Sequence, residues 1–402
     1  MPPSSSFAPL PAAGLPVDAL RQAALVLPAS RIREVANAGI GRADVLAFWF
    51  GESDESTPAA VRDAAQASLQ RGETFYSHNL GLPELRSAIA ADIATRHPAV
   101  GEDRIAVTSS GVSALMLAAQ LLVGPGDEVV AVVPVWPNLT AQPAILGAHV
   151  VRVPLRPAED GAWRLDLDGL CAAVTPRTRV LLVNAPNNPT GWALSADEQR
   201  ALLAHCRRTG TWIVADEVYE RLWYGAGSAA PSFLDHATAE DRLIVVHSFS
   251  KSYLMTGWRL GWLVLPAACT DTAGKLLEYN SSCAPVFVQR GALAALALGD
   301  AFVADLVARS RAGRDRLLAG LRRLPGVHAA VPDGGLYVFF KVQGQQDSVG
   351  FAKRLVREHG LGLAPGAAFG SEGEGWLRWC FATGDLGRLD AGLERLAAAL
   401  RA

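Results

Sequence analysis

The chain has 402 residues, half of them hydrophobic, with 37 Lys and Arg against 39 Asp and Glu and a formal net charge of -2 at pH 7. A large core is therefore available, and the near-neutral balance excludes a polybasic nucleic-acid or membrane footprint, leaving small molecules as the expected partners. No apolar run approaches the ~18 residues of a membrane span, five scattered cysteines show no metal or redox spacing, and the N-terminus has no basic leader, so a reduced, cytoplasmic protein without a metal is expected.

In chain order, residues 1–28 are rich in Pro, Ala and Ser and read as an arm with a short helix at 17–27. Ser30 is an N-cap candidate for a helix opening Arg31-Ile32-Arg33-Glu34. Residues 45–50 read as a short apolar strand leaving at Gly51, where the missing side chain lets backbone approach a ligand. Pro58 opens another helix. From residue 84 the pattern alternates strand and helix: a helix at 83–96, a strand at 104–108, a helix at 112–122, then strands at 128–133, 149–153, 178–183, 211–215 and 243–247. Such alternation predicts a mostly parallel, doubly wound sheet of about seven strands. Residues 259–265 follow too closely for a helical crossover, so that strand is expected antiparallel. A helical region runs from 266 to 323 with a break near 281–285. A smaller α+β unit ends the chain: a strand at 337–342, a helix at 349–359, a loop at 364–366, a strand at 376–381 and a final helix to 402. The expected division is an arm at 1–28, a large domain at 61–300, and a small domain built from 29–60 and 301–402.

In a doubly wound sheet, ligand groups gather at the C-terminal strand ends. Those ends carry a suggestive set. Ser110-Gly111 leads into a helix, whose N-terminus offers free N–H groups to a phosphate. Trp136, Asn188 and the pair Asp216 and Tyr219 follow three other strands, and Ser248, Ser250 and Lys251 follow a fifth. Lysine is scarce here, with only Lys251, Lys275, Lys341 and Lys353 in the whole chain. An amine can form a Schiff base and an arginine cannot. Taken singly, each feature has a plainer reading as a helix cap, core aromatic or surface charge. Together, a lysine, a phosphate cradle, an acid, a phenol, an amide and a flat ring meet the needs of pyridoxal 5'-phosphate.

The stretch Ser248-x-Ser250-Lys251-x-x-Leu254-Met255-x-Gly257-x-Arg259-Leu260-Gly261 resembles the pyridoxal-phosphate attachment signature of class I/II aminotransferases of fold type I, the aspartate aminotransferase superfamily. Further motifs of that family follow in its order, among them Tyr76-x-x-x-x-Gly81, Ser110-Gly111, Pro134-x-Trp136, Asn187-Asn188-Pro189-Thr190-Gly191, Asp216-Glu217-x-Tyr219, Gly334-Gly335-x-Tyr337 and Trp376-Leu377-Arg378. The resemblance spans roughly residues 30–400. It implies that Lys251 carries the cofactor as a Schiff base and later moves the substrate proton, at a pKa lowered from its usual ~10.4. It implies that Asp216 pairs with the ring nitrogen, that Tyr219 and Asn188 bond the 3'-oxygen, and that Trp136 stacks on the ring. Ser110, Gly111, Val112, Ser248, Ser250 and Arg259 would hold the phosphate, joined by Tyr76 from a neighbouring subunit of a homodimer. Arg378 would clamp the substrate α-carboxylate, and Gly51 would line the substrate entrance.

The substrates implied are an L-α-amino acid and a 2-oxo acid. Two departures bear on the side chain. Val112 stands where some relatives carry a polar or basic residue, and residues 279–289 contain no Arg or Lys to meet a dicarboxylate. A neutral or aromatic donor is therefore expected rather than strictly aspartate. Phe48, Trp49, Tyr253 and Phe287 are candidates for that pocket, although core positions explain each more simply. A serine hydrolase reading of Ser248-Phe249-Ser250-Lys251 fails, because no K-T-G follows. A dinucleotide reading is weak, because Gly360-Leu361-Gly362 lacks the third glycine of G-x-G-x-x-G and lies near the C-terminus instead of after a first strand. A regulator built on the same fold would need a DNA-binding domain, for which the residues before the first motif are too few. Within the cofactor class, a C–S β-lyase, cyclase, decarboxylase or amino-acid oxidase remains the alternative to transamination.

Overall fold

The computed structural model describes residues 20–158 and 162–401. Its centre is a seven-stranded sheet in the order Ile105–Thr108, Gly261–Val264, Leu243–Ser248, Trp212–Asp216, Thr178–Asn184, Glu128–Val133 and His149–Pro154. The last five strands in that order pair in parallel. Gly261–Val264 runs antiparallel to both of its neighbours, as the short connection required.

The inner strands are near-continuous apolar runs because helices cover both faces. Alternation at period two divides them between two cores. Val130, Val132, Leu181, Val183, Ile213, Ala215 and Val245 join one, while Val129, Ala131, Leu182, Val214, Ile244 and Val246 join the other. The covering helices carry their own stop signals. Helix Ala196–Thr209 starts with a capping box between Ser195 and Glu198 and ends on Gly210 at φ 73°.

A second sheet is antiparallel, in the order Val327–Ala329, Tyr337–Val342, Trp376–Cys380, Ala364–Pro365. The early strand is shorter than its sequence suggests. Only Leu46–Ala47 pairs as a strand, in parallel with Leu361–Gly362; the following Phe48 and Trp49 are buried, and the Phe48 backbone donates to the Gly362 carbonyl at 2.8 Å and accepts from Cys380 N at 3.2 Å. The helix of the arm is Gln22–Leu25; residues 17–19 lie outside the described residues. The helical region after Pro266 breaks twice rather than once. Helices Ala267–Ser281, Val286–Ala297 and Gly299–Leu321 follow one another, and the last two meet at 83° where Gly299 takes φ +68°. Among the described residues, no single helix is long and apolar enough to cross a membrane.

Candidate active site

The C-terminal ends of the large sheet open into a cavity of about 570 Å³. Gly51, Gly111, Val112, Trp136, Asn188, Asp216, Tyr219, Ser248, Ser250, Lys251, Arg259 and Arg378 all line it. Ser110 lies buried just behind, as N-cap of helix Gly111–Leu122, with its Oγ accepting from Ser113 N at 3.0 Å. Ser110 holds φ 139°, a region that disfavours side chains and marks a strained turn. Tyr76 is the exception: it is 88 % exposed and away from this cavity.

One end of the cavity suits a dianion. Helix Gly111–Leu122 begins there, and the first amides of a helix have no acceptor within it. Facing them, Ser248 Oγ and Ser250 Oγ lie 2.9 Å apart. Arg259 Nη1 donates to the Thr256 carbonyl at 2.7 Å. Among the described residues Arg259 has no carboxylate partner, and burial lowers its pKa. The two segments meet closely: a Cβ on Gly261 would stand 2.6 Å from the Gly111 nitrogen, so glycine is required where they touch.

The middle of the cavity holds the acid and the amine. Strand Trp212–Asp216 ends on the buried Asp216, whose Oδ1 accepts only a long 3.4 Å bond from Val218 N. Burial pushes its carboxyl up to about 7, and the Lys251 charge opposes this. Lys251 Nζ donates to the Gly51 carbonyl at 2.6 Å and stands 5.7 Å from the centre of the Tyr219 ring. Burial lowers its pKa from 10.5 to about 8. The Tyr219 hydroxyl shares a 2.7 Å hydrogen bond with that of Tyr337, and burial raises the Tyr219 phenol well above its usual value.

The far wall carries Arg378, which is 2 % exposed. Its Nη1 donates to Asn188 Oδ1 at 2.8 Å and its Nη2 to the Trp49 carbonyl. The guanidinium lies 4.2 Å from the Tyr337 ring centre and 4.9 Å from that of Phe369. Its Nε has no partner, and no carboxylate pairs with it among the described residues. A buried cation without a counter-ion is costly, and this one sits at the edge of a cavity that admits an anion.

Other wall residues escaped the sequence. Ile32, Arg31 and Arg33 come from the early helix, and Phe50, Ala367 and Ala368 from flanking loops. By contrast Phe48, Trp49 and Tyr253 are core, and neither they nor Phe287 lines the cavity. Beneath the site a buried charge network braces the segment after Asp216. His97 contacts Asp235 at 2.6 Å and Glu220 at 2.9 Å, while Glu217 accepts from Ser232 Oγ at 2.6 Å and Phe233 N at 3.0 Å.

A doubly wound α/β enzyme with a half-buried lysine, a buried acid and an anion cradle at one sheet edge defines a pyridoxal-phosphate site, and the donor set fits that group at each end. The chain belongs to the class I and II aminotransferases, whose family pattern matches residues 44–396. It is 34% identical over 357 residues to the aspartate aminotransferase of Musicola paradisiaca, covering 87% of this chain and 88% of that one. It is also 34% identical over 340 residues to the arginine–pyruvate transaminase of Pseudomonas aeruginosa, covering 83% and 85%. Among solved structures, the aspartate aminotransferase of Thermotoga maritima superposes with a TM-score of 0.87 at 31% identity, covering 95% of this chain and 100% of that one. The protein is an aminotransferase, and its cofactor is pyridoxal 5'-phosphate.

Proposed function

We propose that this enzyme takes the amino group from an L-α-amino acid with an apolar or aromatic side chain and passes it to a 2-oxo acid. The observation that carries the side-chain reading is the wall around the reacting centre. Ile32, Phe50, Val112, Leu115, Trp136, Ala367 and Ala368 line the same cavity as Lys251 and Arg378. Burying an aromatic side chain against such a wall stabilises the complex by about 1.5–3 kcal/mol, whereas a carboxylate there loses its water without a partner.

In this reading Arg378 holds the α-carboxylate through its guanidinium fork, which fixes the Cα–H bond in front of Lys251. Lys251 Nζ, its pKa lowered by burial to about 8, is neutral often enough near neutrality to take the Cα proton. Asp216, Tyr219 and Asn188 orient the cofactor ring, and Trp136 covers its face. Gly111, Val112, Ser110, Ser248, Ser250 and Arg259 anchor its phosphate, and Gly51 lets the substrate approach. Tyr76 of the partner subunit completes the phosphate grip in a homodimer, a role matched by its exposure in the single chain. The chemistry supplied by the bound cofactor is an aldehyde carbon that takes up the amino group and a ring that draws electrons from Cα.

A second reading, an aspartate donor like that of its relatives, is favoured by one feature. Arg31 and Arg33 stand on the rim of the cavity. Arg31 is already paired with Glu34 at 2.7 Å, but the Arg33 guanidinium rests 4.7 Å from the Phe50 ring centre with no acidic partner among the described residues. An amino-acid panel separates the two. Purified enzyme is mixed with each amino acid, and its absorbance is followed until a 2-oxo acid restores it. Faster turnover of phenylalanine, tyrosine or leucine than of aspartate supports the first reading; the reverse order supports the second. Ammonia release or oxygen uptake without a 2-oxo acid would sink both.

A further inference from the structure

Lys251, with Gly51 and Ser250, lies between two cavities. On its front is the substrate space; behind it lies a separate cavity of about 20 Å³, lined by Gly51, Glu52, Ser53, Glu55, Ser250, Lys251, Leu254, Thr256 and neighbouring apolar residues. That volume holds about one water molecule, and hydroxyls and carboxylates supply the two to four partners a water needs.

The two carboxylates of this rear cavity differ. Glu55 is held by Arg309 and by Ser53 Oγ at 3.2 Å, so it is a fixed anion. Glu52 is exposed at the surface and accepts one bond, from Thr256 Oγ1 at 2.9 Å. No cation pairs with Glu52 among the described residues. It therefore has one face in solvent and another on the cavity behind the lysine.

We propose that a water in this rear cavity connects Lys251 Nζ with the Glu52 carboxylate and exchanges the lysine's protons with solvent while substrate fills the front. The proposal rests on reading Lys251 as the base. The case for such a route is physical. A cofactor and substrate bound in the front cavity displace water there, so a rear cavity gives the amine a separate path to bulk. The transfer balances. The lysine ammonium gives one proton to the water, the water gives one of its own to a Glu52 oxygen, and the carboxylic acid releases it to solvent. Amine and carboxylate are regenerated, and the reverse sequence reloads the lysine. The titratable and charged groups facing Lys251 are Glu52 from the segment after Leu46–Ala47, Asp216 from its strand end, Arg259 from the turn, Arg378 from strand Trp376–Cys380 and the buried Cys380 thiol at its end, which burial keeps neutral; the Tyr219 ring covers one side.

The test compares the wild type with Glu52→Gln in D2O. The loaded enzyme is incubated with an accepted amino acid and its 13C-labelled 2-oxo acid. Mass spectrometry reads deuterium entering Cα, and the 13C label reads interconversion of the two acids. The ratio of the two rates cancels any change in overall activity. The wild type should take up deuterium, and Glu52→Gln should lower the ratio by roughly tenfold or more. An unchanged ratio, or full retention of the Cα proton by the wild type, overturns the proposal. Failure of the parent reading looks different: Lys251→Ala loaded with cofactor then still exchanges the Cα hydrogen. A second readout needs no cofactor. In the cofactor-free protein, the pH profile for reductive methylation of Lys251 should move to lower pH by about half a pH unit in Glu52→Gln, because removing a nearby anion disfavours the ammonium. An unmoved profile also counts against the connection.

Discussion

Arg378→Lys tests the carboxylate clamp most directly, because it keeps the charge and removes the fork. A carboxylate gripped by a guanidinium takes two parallel charge-assisted hydrogen bonds, each worth about 1.5–3 kcal/mol. In this structure the fork is preset: Nη1 is held by Asn188 Oδ1 at 2.8 Å, and the ring faces of Tyr337 and Phe369 hold its plane. Lysine offers a single point donor on a flexible stem, and no group in the wall orients it. Losing one of the two bonds at about 1.4 kcal/mol per tenfold gives a fall of roughly 10- to 150-fold in kcat/KM for an accepted amino acid. The control is inhibition by a carboxylic acid of the same side chain and by its amide. Affinity for the acid should fall by the same factor, and affinity for the amide should stay within about threefold. A loss under about threefold for the amino acid, or an equal loss for acid and amide, would falsify the clamp.

Four further outcomes are expected. Lys251→Ala should lose the visible absorbance of covalently held cofactor after dialysis; a band that survives removes the lysine from its role. Val112→Lys places a cation beside the helix start and should raise kcat/KM for aspartate by roughly tenfold, about the worth of one charge-assisted hydrogen bond; no gain for aspartate over leucine would show that residue 112 does not face the side chain. Tyr76→Phe should weaken cofactor binding by roughly tenfold, one hydrogen bond to a phosphate, measured by titration of the cofactor-free protein. The last concerns stability. Burial opposes protonation of His97, but the Asp235 and Glu220 carboxylates outweigh it and raise the ring from 6.5 to about 10. Since the folded value lies above the unfolded one, this stabilisation is complete below about pH 6.5 and is lost as pH rises toward 10. The Tm gap between wild type and His97→Gln should therefore narrow from pH 6 to pH 10, and a constant gap would refute the pairing.

Much of the sheet could be read before folding because its signals are local. Val129–Val133 and Leu243–Val246 are apolar runs bounded by turn residues, and the 12 residues between Ser248 and Gly261 leave no room for a crossover. The strand ends then placed Lys251, Asp216, Asn188 and Arg259 on one edge without side-chain coordinates. What escaped depends on distant packing. The second break at Gly299 needs a positive φ that one glycine in a helical pattern does not announce. Phe48 and Trp49 were candidates for the substrate wall, yet the short pairing of Leu46–Ala47 with Leu361–Gly362 turns them into the core and leaves Phe50 facing the cavity. The regular strand ends at Ala47, so the direction of residues 48–50 is set not by alternation but by packing against a partner more than 300 residues away. Arg33 was equally invisible, since an exposed arginine in a helix looks like any other. Glu220 had a weak signal, sitting one residue after Tyr219, but His97, which holds it, lies far upstream.

The antiparallel strand Gly261–Val264 has a consequence for how this protein assembles. It lies between Ile105–Thr108 and Leu243–Ser248, so the helix start at Gly111 and the turn carrying Ser250 and Arg259 come together only once that strand is zipped in on both sides. The anion grip is thus a non-local product of the completed sheet rather than a preformed loop. Anything bound there pulls on the completed sheet and not on its parts, adding RT ln(1 + [L]/Kd) to the stability of the whole domain. Cofactor capture then doubles as a checkpoint: a chain with strand Gly261–Val264 unpaired has both halves of the grip and nothing to close them.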